Sequence, residues 1–586
     1  MNSRIPARLY SYVLAAALLL GTASPCLAQS AAPAKTPTLF ESPELVEQYQ
    51  QTITPEDLAS HLYFFASDFF EGRETGMPGQ KLAARYLAAQ YRKIGLEPKG
   101  TAQADGPYAP QAYLQPFTVY GTRLKEARLA ALSGGDTLAS ARFALDHPSD
   151  TAYLLQGSKP QASGAVVFLG YGIADDDLGY NDYAAAQAAG IDLTGKWLLI
   201  LADEPLSGPE TSLLHTPDGR PSRWSEGYRE KLYTALDTAK PAGVLIVGDT
   251  SPRTTDDIAT QSARLAAGLQ KVAGPLSLDR DNIRAGRGLP VYVVSTALAD
   301  KLLAPSGRTV GALQQAINTS LKPIVLPLQD VSVDSRIDRP VTPFQTANVA
   351  AMVEGTDPVL KHEVVVVGSH YDHIGIDPFE SGDQINNGAD DDGSGTVTTL
   401  EIAEAFQKAK EAGYGPRRSI LFLNVAGEEK GLLGSEFYTD HQPIVPLENT
   451  VTDLNIDMIG RYDPTRPGGH DYVYVIGSKL ISKDLDDIIE RANTVTDLNL
   501  TLDDRFNTKD DPNRFYARSD HWNFGKHGIP FAFFFTGTHE DYHQVGDEAY
   551  KIDYDRMADI AREIFATAWQ VANQDARPAV SGTGFN

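Results

Sequence analysis

From residue 345 onward, unbroken apolar runs alternate with segments whose apolar residues recur at helical spacing. Val364–Gly368 is apolar throughout, as expected of a parallel strand buried on both faces. Thr396–Lys408 follows with helical periodicity. Ser419–Ala426 reads as another strand, and Leu454–Ile456 and Pro530–Phe535 as two more. The alternation predicts an α/β domain with a mostly parallel or mixed central sheet flanked by helices. Upstream, Ile53–Arg92 reads as helical. Thr54-Pro55-Glu56 offers a helix start, and Leu82, Tyr86, Leu87, Ala89 and Ile94 keep helical spacing until Gly95.

Residues 150–335 have a different texture. Short strand-like runs (Ala165–Leu169, Trp197–Leu201, Val244–Val247, Leu289–Val294) are separated by Gly, Pro and Asp turns. His215 is the only histidine there, and no ligand-type residues cluster. The pattern predicts an inserted mixed α/β domain that shapes a cleft and does not perform the reaction. At the N-terminus, Arg4 and Arg8 precede a short apolar run, Tyr12 to Leu20, and Cys26-Leu27-Ala28 offers small residues at a cleavage site. Residues 1–28 therefore read as a signal peptide, and the mature chain is expected in the periplasm or outside the cell. The apolar run is too short to span a bilayer, and no later stretch is long enough. The expected organisation is a linker at 29–50, a first part of the main domain at 51–149, the insert at 150–335, the rest of the main domain at 336–575 and a tail at 576–586.

Length and charge narrow the picture. A chain of 586 residues exceeds one simple core. Apolar residues make up 42% and charged residues 22%, which is ordinary for a globular protein. A formal charge of -25 argues against nucleic acid or an anionic membrane surface as partner. Cys26 is the only cysteine, so a mature chain would offer neither disulfides nor thiolate ligands. Any metal must be held by His and carboxylates.

Such residues fall where the strands end. Val364–Gly368 runs into His370 and Asp372, Ile420–Ala426 into Glu428 and Glu429, Leu454–Ile456 into Asp457, and Pro530–Phe535 into a loop with His539, Glu540, Asp541 and His543. In open α/β sheets, ligands bind beyond the carboxyl ends of the strands. Four strands would thus deliver their polar ends to one crevice, with donors that suit Zn²⁺. A two-metal centre needs a ligand bridging ions roughly 3.5–4 Å apart, and this set can supply one. A rival reading takes Asp390-x-Asp392-x-Ser394-Gly395 with Glu401 as a calcium loop. Its context is poor, because the Gly-, Asn- and Asp-rich residues 378–389 do not make the required incoming helix.

Taken together, Gly368-Ser369-His370-Tyr371-Asp372, Asn387 to Gly395, Ala426-Gly427-Glu428-Glu429, Asn455 to Gly460, Ser519-Asp520-His521 and Tyr542 to Asp547 resemble, in order and spacing, the motifs of the zinc exopeptidase family. That family includes secreted bacterial and fungal aminopeptidases and glutamate carboxypeptidases. The resemblance covers about residues 340–575, extends to Ala66–Arg73, and likens 150–335 to a protease-associated domain. It implies two Zn²⁺ per chain and peptides as substrates. Asp391 would bridge the metals, His370 and Asp457 would complete one, and Glu429 and His543 the other. Glu428 would be the general base, and Asp372 would orient His370. Either Tyr516 or Tyr542 would stabilise the oxyanion, while His521 would be structural. The implied activity is removal of N-terminal residues. The alternatives are a carboxypeptidase, with Arg505, Arg514 and Arg518 available for a terminal carboxylate, an inactive binding homologue, or a single-zinc cyclase of N-terminal glutamine.

Overall fold

The computed structural model describes residues 35–582 apart from 107, 284–287, 379 and 381. The proposed signal peptide, with Cys26, lies outside the described residues.

The main sheet is built on seven principal strands. They are β1 (Leu114–Thr122), β2 (Val341–Val353), β3 (Val364–His370), β4 (Ser419–Val425), β5 (Thr450–Ile456), β6 (Tyr472–Ile476) and β7 (Phe531–Phe535). Their order is β2-β4-β3-β5-β7-β6, with β1 on β2, and two short strands, Glu97–Pro98 and Thr501–Asp503, at the edges. The centre is parallel, from β4 through β3 and β5 to β7. The flanking strands β2 and β6 run antiparallel to their neighbours, so the sheet is mixed. All residues of β3, β4, β5 and β7 are buried, which explains their unbroken apolar runs. The four parallel strands share one direction, so their carboxyl ends open on one side.

Helices cover the faces. They are α1 (Pro43–Gln50), α2 (Pro55–Phe65), α3 (Pro78–Ile94), α4 (Gly395–Glu411) and α5 (Tyr554–Asn573). Thr54 caps α2 by accepting the Asp57 amide at 3.1 Å, and Gly95 closes α3 in the left-handed region at φ 94°. The stretch between α2 and α3 breaks into turns, so Ile53–Arg92 is two helices and not one. The linker reading of 29–50 needs correction at its end. Residues 43–50 form α1 because Val46 and Tyr49 have a core to enter, and Tyr49 stacks on Trp569 of α5 at 6.1 Å. Phe406 of α4 packs against Phe565 and Trp569 at 4.5 and 5.8 Å, which locks α4 to α5.

A second, eight-stranded sheet has its own hydrophobic core. Its strands run from Glu126–Ser133 to Val325–Asp338, a span that starts ahead of residue 150. Gln161–Leu169, Trp197–Leu201, Gly243–Val247 and Val291–Val294 are its parallel centre. Among the described residues, no helix is long and apolar enough to cross a membrane.

Candidate active site

The candidate ligands meet at the carboxyl ends of β3, β4 and β5. His370 ends β3, Asp457 follows β5, and Glu428 and Glu429 lie just past β4. Asp391 arrives from the loop that leads into α4, and His543 from the loop after β7. His370 Nε2 lies 3.3 Å from Asp391 Oδ1 and 3.6 Å from Asp457 Oδ1. His543 Nε2 lies 3.1 Å from both Asp391 Oδ2 and Glu429 Oε2. Asp391 thus turns one oxygen toward each histidine. His370, Asp391 and Asp457 are buried, and His543 is the half-exposed member.

The Asp triplet shows why the middle residue is the free one. Asp392 accepts the amides of His370 at 3.2 Å, Gly395 at 2.9 Å and Met458 at 3.2 Å. Asp390 accepts the Gly460 amide at 2.6 Å, and its other oxygen lies 3.3 Å from His539 Nε2. Asp392 also sits near His370 and Asp457, but those amides already engage both of its oxygens. Only Asp391 keeps its carboxylate for the cleft, while Asp547 accepts its backbone N–H at 3.0 Å. Gly388 makes this turn possible. At φ 58° it occupies the left-handed region, and a Cβ there would lie 2.3 Å from the Asp391 carbonyl oxygen. The calcium-loop reading fails on the same contacts: Asp390 and Asp392 are spent on backbone amides, and Glu401 faces His61 at 3.2 Å.

Hydrogen bonds fix the ligands from behind. Asp372 lies at 3.8 Å from His370 Nδ1, accepts Thr75 Oγ1 at 2.5 Å and accepts the Glu428 amide at 3.2 Å. His370 Nδ1 is closer to the Asp372 carbonyl oxygen, at 3.1 Å, so the backbone and not the carboxylate makes the tighter contact. Ser519 donates to Asp457 Oδ2 at 2.6 Å and is itself held by Asn455 at 2.9 Å. Asp520 accepts from Ser435 at 2.5 Å. His521 is wedged on Phe531 and Phe533 and donates from Nε2 to the Tyr516 carbonyl at 2.9 Å. Burial pushes its pKa down to about 3, so it stays neutral.

The roles of two residues escaped the sequence reading, although Arg73 ends the upstream segment included in the resemblance. His373 Nδ1 lies 2.8 Å from Glu429 Oε1 and 3.8 Å from Asp391 Oδ2. Its signal was the second histidine three positions after His370. Arg73 is fully buried and donates to the carbonyls of Tyr371 at 2.9 Å, Asn387 at 2.6 Å and Gly388 at 2.8 Å. It ties together the loops of His370 and Asp391. Burial lowers its pKa to about 10, against the pull of Asp547 and Asp391, so it remains a cation. Nothing in sequence marks one arginine as buried.

The electrostatics follow from crowding. Burial disfavours the charged form of His370, but Asp457, Glu428 and Asp391 overcome it and raise its pKa well above the usual value. His543 is likewise raised to about 10, because Asp391 and Glu429 outweigh its burial. Burial raises Glu428 well above the carboxylate range, with Glu429 and Asp457 adding to it.

The residues fit a metal. The Nε2 atoms of His370 and His543 each lie 3.1–3.6 Å from two carboxylate oxygens of Asp391, Asp457 and Glu429. That is roughly the 3.3 Å edge of a tetrahedron with zinc–nitrogen bonds of about 2.0–2.1 Å. Asp391 Oδ2 is also buried without a hydrogen bond. His373, Asp391 and Glu429 also offer ligand atoms that lie within 4.8 Å of one another.

A cleft opens beside these donors. Asp391, Glu428 and Asp457 line it on one side, and Met458, Phe515, Phe533 and Phe535 form an apolar floor. Tyr542 and Arg518 also line it. Tyr542 stacks on His543 at 4.0 Å, and its oxygen accepts from Arg518 Nη2 at 3.2 Å. Tyr516 packs on Trp522 at 6.1 Å and is not among the cleft residues, so the structure brings only Tyr542 of the two to this cleft. Of the three arginines, Arg505 is bound to Asp503 at 2.8 Å, Arg514 is exposed, and only Arg518 reaches the cleft. His215 is exposed and outside the site.

Residues 348–568, which carry all five candidate ligands, match the family model of Peptidase family M28. Leucine aminopeptidase 1 of Sclerotinia sclerotiorum is 30% identical over 227 residues, which is 37% of this chain and 54% of that protein. Leupeptin-inactivating enzyme 1 of Streptomyces exfoliatus is 32% identical over 204 residues, 35% of this chain and 38% of its own length. The matched stretch spans about half the length of the first curated relatives (47% and 54%). A solved structure of BSAP, a zinc aminopeptidase from Bacillus subtilis, aligns over 88% of this chain and 95% of its own at 19% identity, with a TM-score of 0.45.

Proposed function

We propose that this chain is a metal-dependent aminopeptidase that hydrolyses the N-terminal bond of peptides using two Zn²⁺. The observation that carries the reading is Asp391, whose two oxygens face different histidines at 3.3 and 3.1 Å with no competing hydrogen bond on Oδ2. His370 and Asp457 would hold one ion, Glu429 and His543 the other, and Asp391 would bridge them. The similarity to leucine aminopeptidases supports the same reading. When bound, such a pair polarises a carbonyl and lowers the pKa of a water.

The chain's own residues do the rest. Glu428, half-buried at the cleft beside other carboxylates, would take a proton from the attacking water and pass it to the leaving amine. Arg518 donates to the Tyr542 oxygen, which leaves the phenol hydrogen for the substrate's oxyanion. The apolar floor receives the side chain of the first residue, and the carboxylates at the cleft attract its free amine. Arg518 favours a second reading, in which it binds a terminal carboxylate and the enzyme is a carboxypeptidase.

The basic and then apolar N-terminus supports export to the periplasm or beyond, with 150–335 as a protease-associated domain. Chelation is expected to abolish peptide hydrolysis and Zn²⁺ to restore it, with two ions per active chain by elemental analysis. Full activity with one ion or none contradicts the proposal.

A further inference from the structure

We propose that Glu74 is a positioning residue through which the inserted unit holds the candidate metal ligand Glu429 in place. The inference rests on the ligand set proposed above.

Glu74 is 1% exposed, and its carboxylate is fully engaged. Oε2 accepts the Ala273 amide at 3.0 Å, and Oε1 accepts the Gly274 amide at 3.2 Å and the Lys430 ammonium at 2.8 Å. Ala273 and Gly274 belong to the inserted unit, between its strands Gly243–Val247 and Val291–Val294. Lys430 directly follows Glu429. The Glu74 backbone pairs in a parallel bridge with His373, whose Nδ1 lies 2.8 Å from Glu429 Oε1. Glu429 is therefore held from two sides, by its chain neighbour and by an imidazole, and both supports lead to Glu74.

The inserted segment is anchored well enough to act as a brace. Ala273 and Leu276 are 3% and 8% exposed and pack into the core of the main domain, not that of the insert. Ser277 and Tyr120 exchange backbone hydrogen bonds of 2.8 and 2.9 Å. Without the Glu74 carboxylate, two amides and an ammonium would be left poorly paired in a buried place, and Lys430 would be free to draw Glu429 aside. Groups that orient a ligand from behind set metal affinity, typically by about 10–100-fold.

The test measures Zn²⁺ affinity of the full chain by competition with a chromophoric chelator, for wild type, Glu74→Gln and Lys430→Met. Lys430→Met keeps the side-chain stem and guards against a Glu74 variant that fails to fold. Each substitution is expected to weaken the more weakly held ion by about 10–100-fold. The double variant should be no worse than the worse single one. Wild-type affinity for both ions in Lys430→Met and in folded Glu74→Gln overturns the inference, even if melting temperature falls. A wild-type chain binding fewer than two ions overturns the ligand set itself, and the inference with it.

Discussion

Glu428 and Glu429 are neighbours in the chain with opposite electrostatics. Burial and nearby carboxylates raise Glu428, whereas His373 and His543 overcome the burial of Glu429 and hold it below the usual value. The proposed base and the proposed ligand are thereby distinguished within two residues. Glu428→Gln keeps the size and loses the base, so kcat is expected to fall at least ~10²-fold with zinc content retained, measured by turnover and elemental analysis. Near-normal turnover contradicts the role. Tyr542→Phe should lower kcat by roughly 10²-fold, whereas Tyr516→Phe should leave it close to wild type. The reverse order would transfer the oxyanion role to Tyr516. At this scale the sequence showed four of the five candidate ligands, because His370, Glu429, Asp457 and His543 each follow an apolar run. It did not show which Asp of the triplet stays free, since that depends on amides contributed by residues 370, 395 and 458. The family resemblance supplied the middle one. The supporting roles of His373 and Arg73 arise from loop returns and burial, which have no local pattern.

The elements differed in how plainly they could be read. Strands β3, β4, β5 and β7 are buried on both faces, so their composition alone marks them. Strand β2 was missed because its first half alternates and includes Pro343, as suits a strand with one partly exposed face. Helix α1 was missed because eight residues beside a Pro-rich stretch carry little periodic signal. Helix α5 hides a further cost. Glu563 is fully buried on it, and its Oε2 has no hydrogen-bond partner. Burial raises its pKa from 4.5 to about 8, so the folded chain keeps the carboxyl neutral where the unfolded chain ionises it. Stability from this group is full below pH 4.5 and declines as pH rises toward 8. Glu563→Gln mimics the neutral acid and should add about 2–4 kcal/mol at pH 8 and little near pH 5. Denaturant unfolding at both pH values checks this, and an equal change at the two contradicts it.

On the scale of the whole molecule, two sheets divide the labour. The main sheet aims its parallel strands at one crevice and supplies every candidate ligand. The inserted sheet supplies none, yet its segment at Ala273 and Gly274 donates two backbone amides to Glu74, which also accepts from Lys430 beside Glu429. Sequence texture separated the two units but not this contact, which joins residues about two hundred positions apart. The cleft is lined by the acidic residues Asp391, Glu428 and Asp457, by apolar side chains and by Arg518. A free α-amine suits the acidic part, and a blocked amine forfeits that attraction. The most direct test incubates the zinc-loaded chain with one peptide blocked either at its N-terminus by acetylation or at its C-terminus by amidation, with products read by mass spectrometry. Stepwise loss of N-terminal residues from the amidated peptide, with the acetylated one intact, is the expected result; shortening of the acetylated peptide from its C-terminus, with the amidated one intact, would contradict the account.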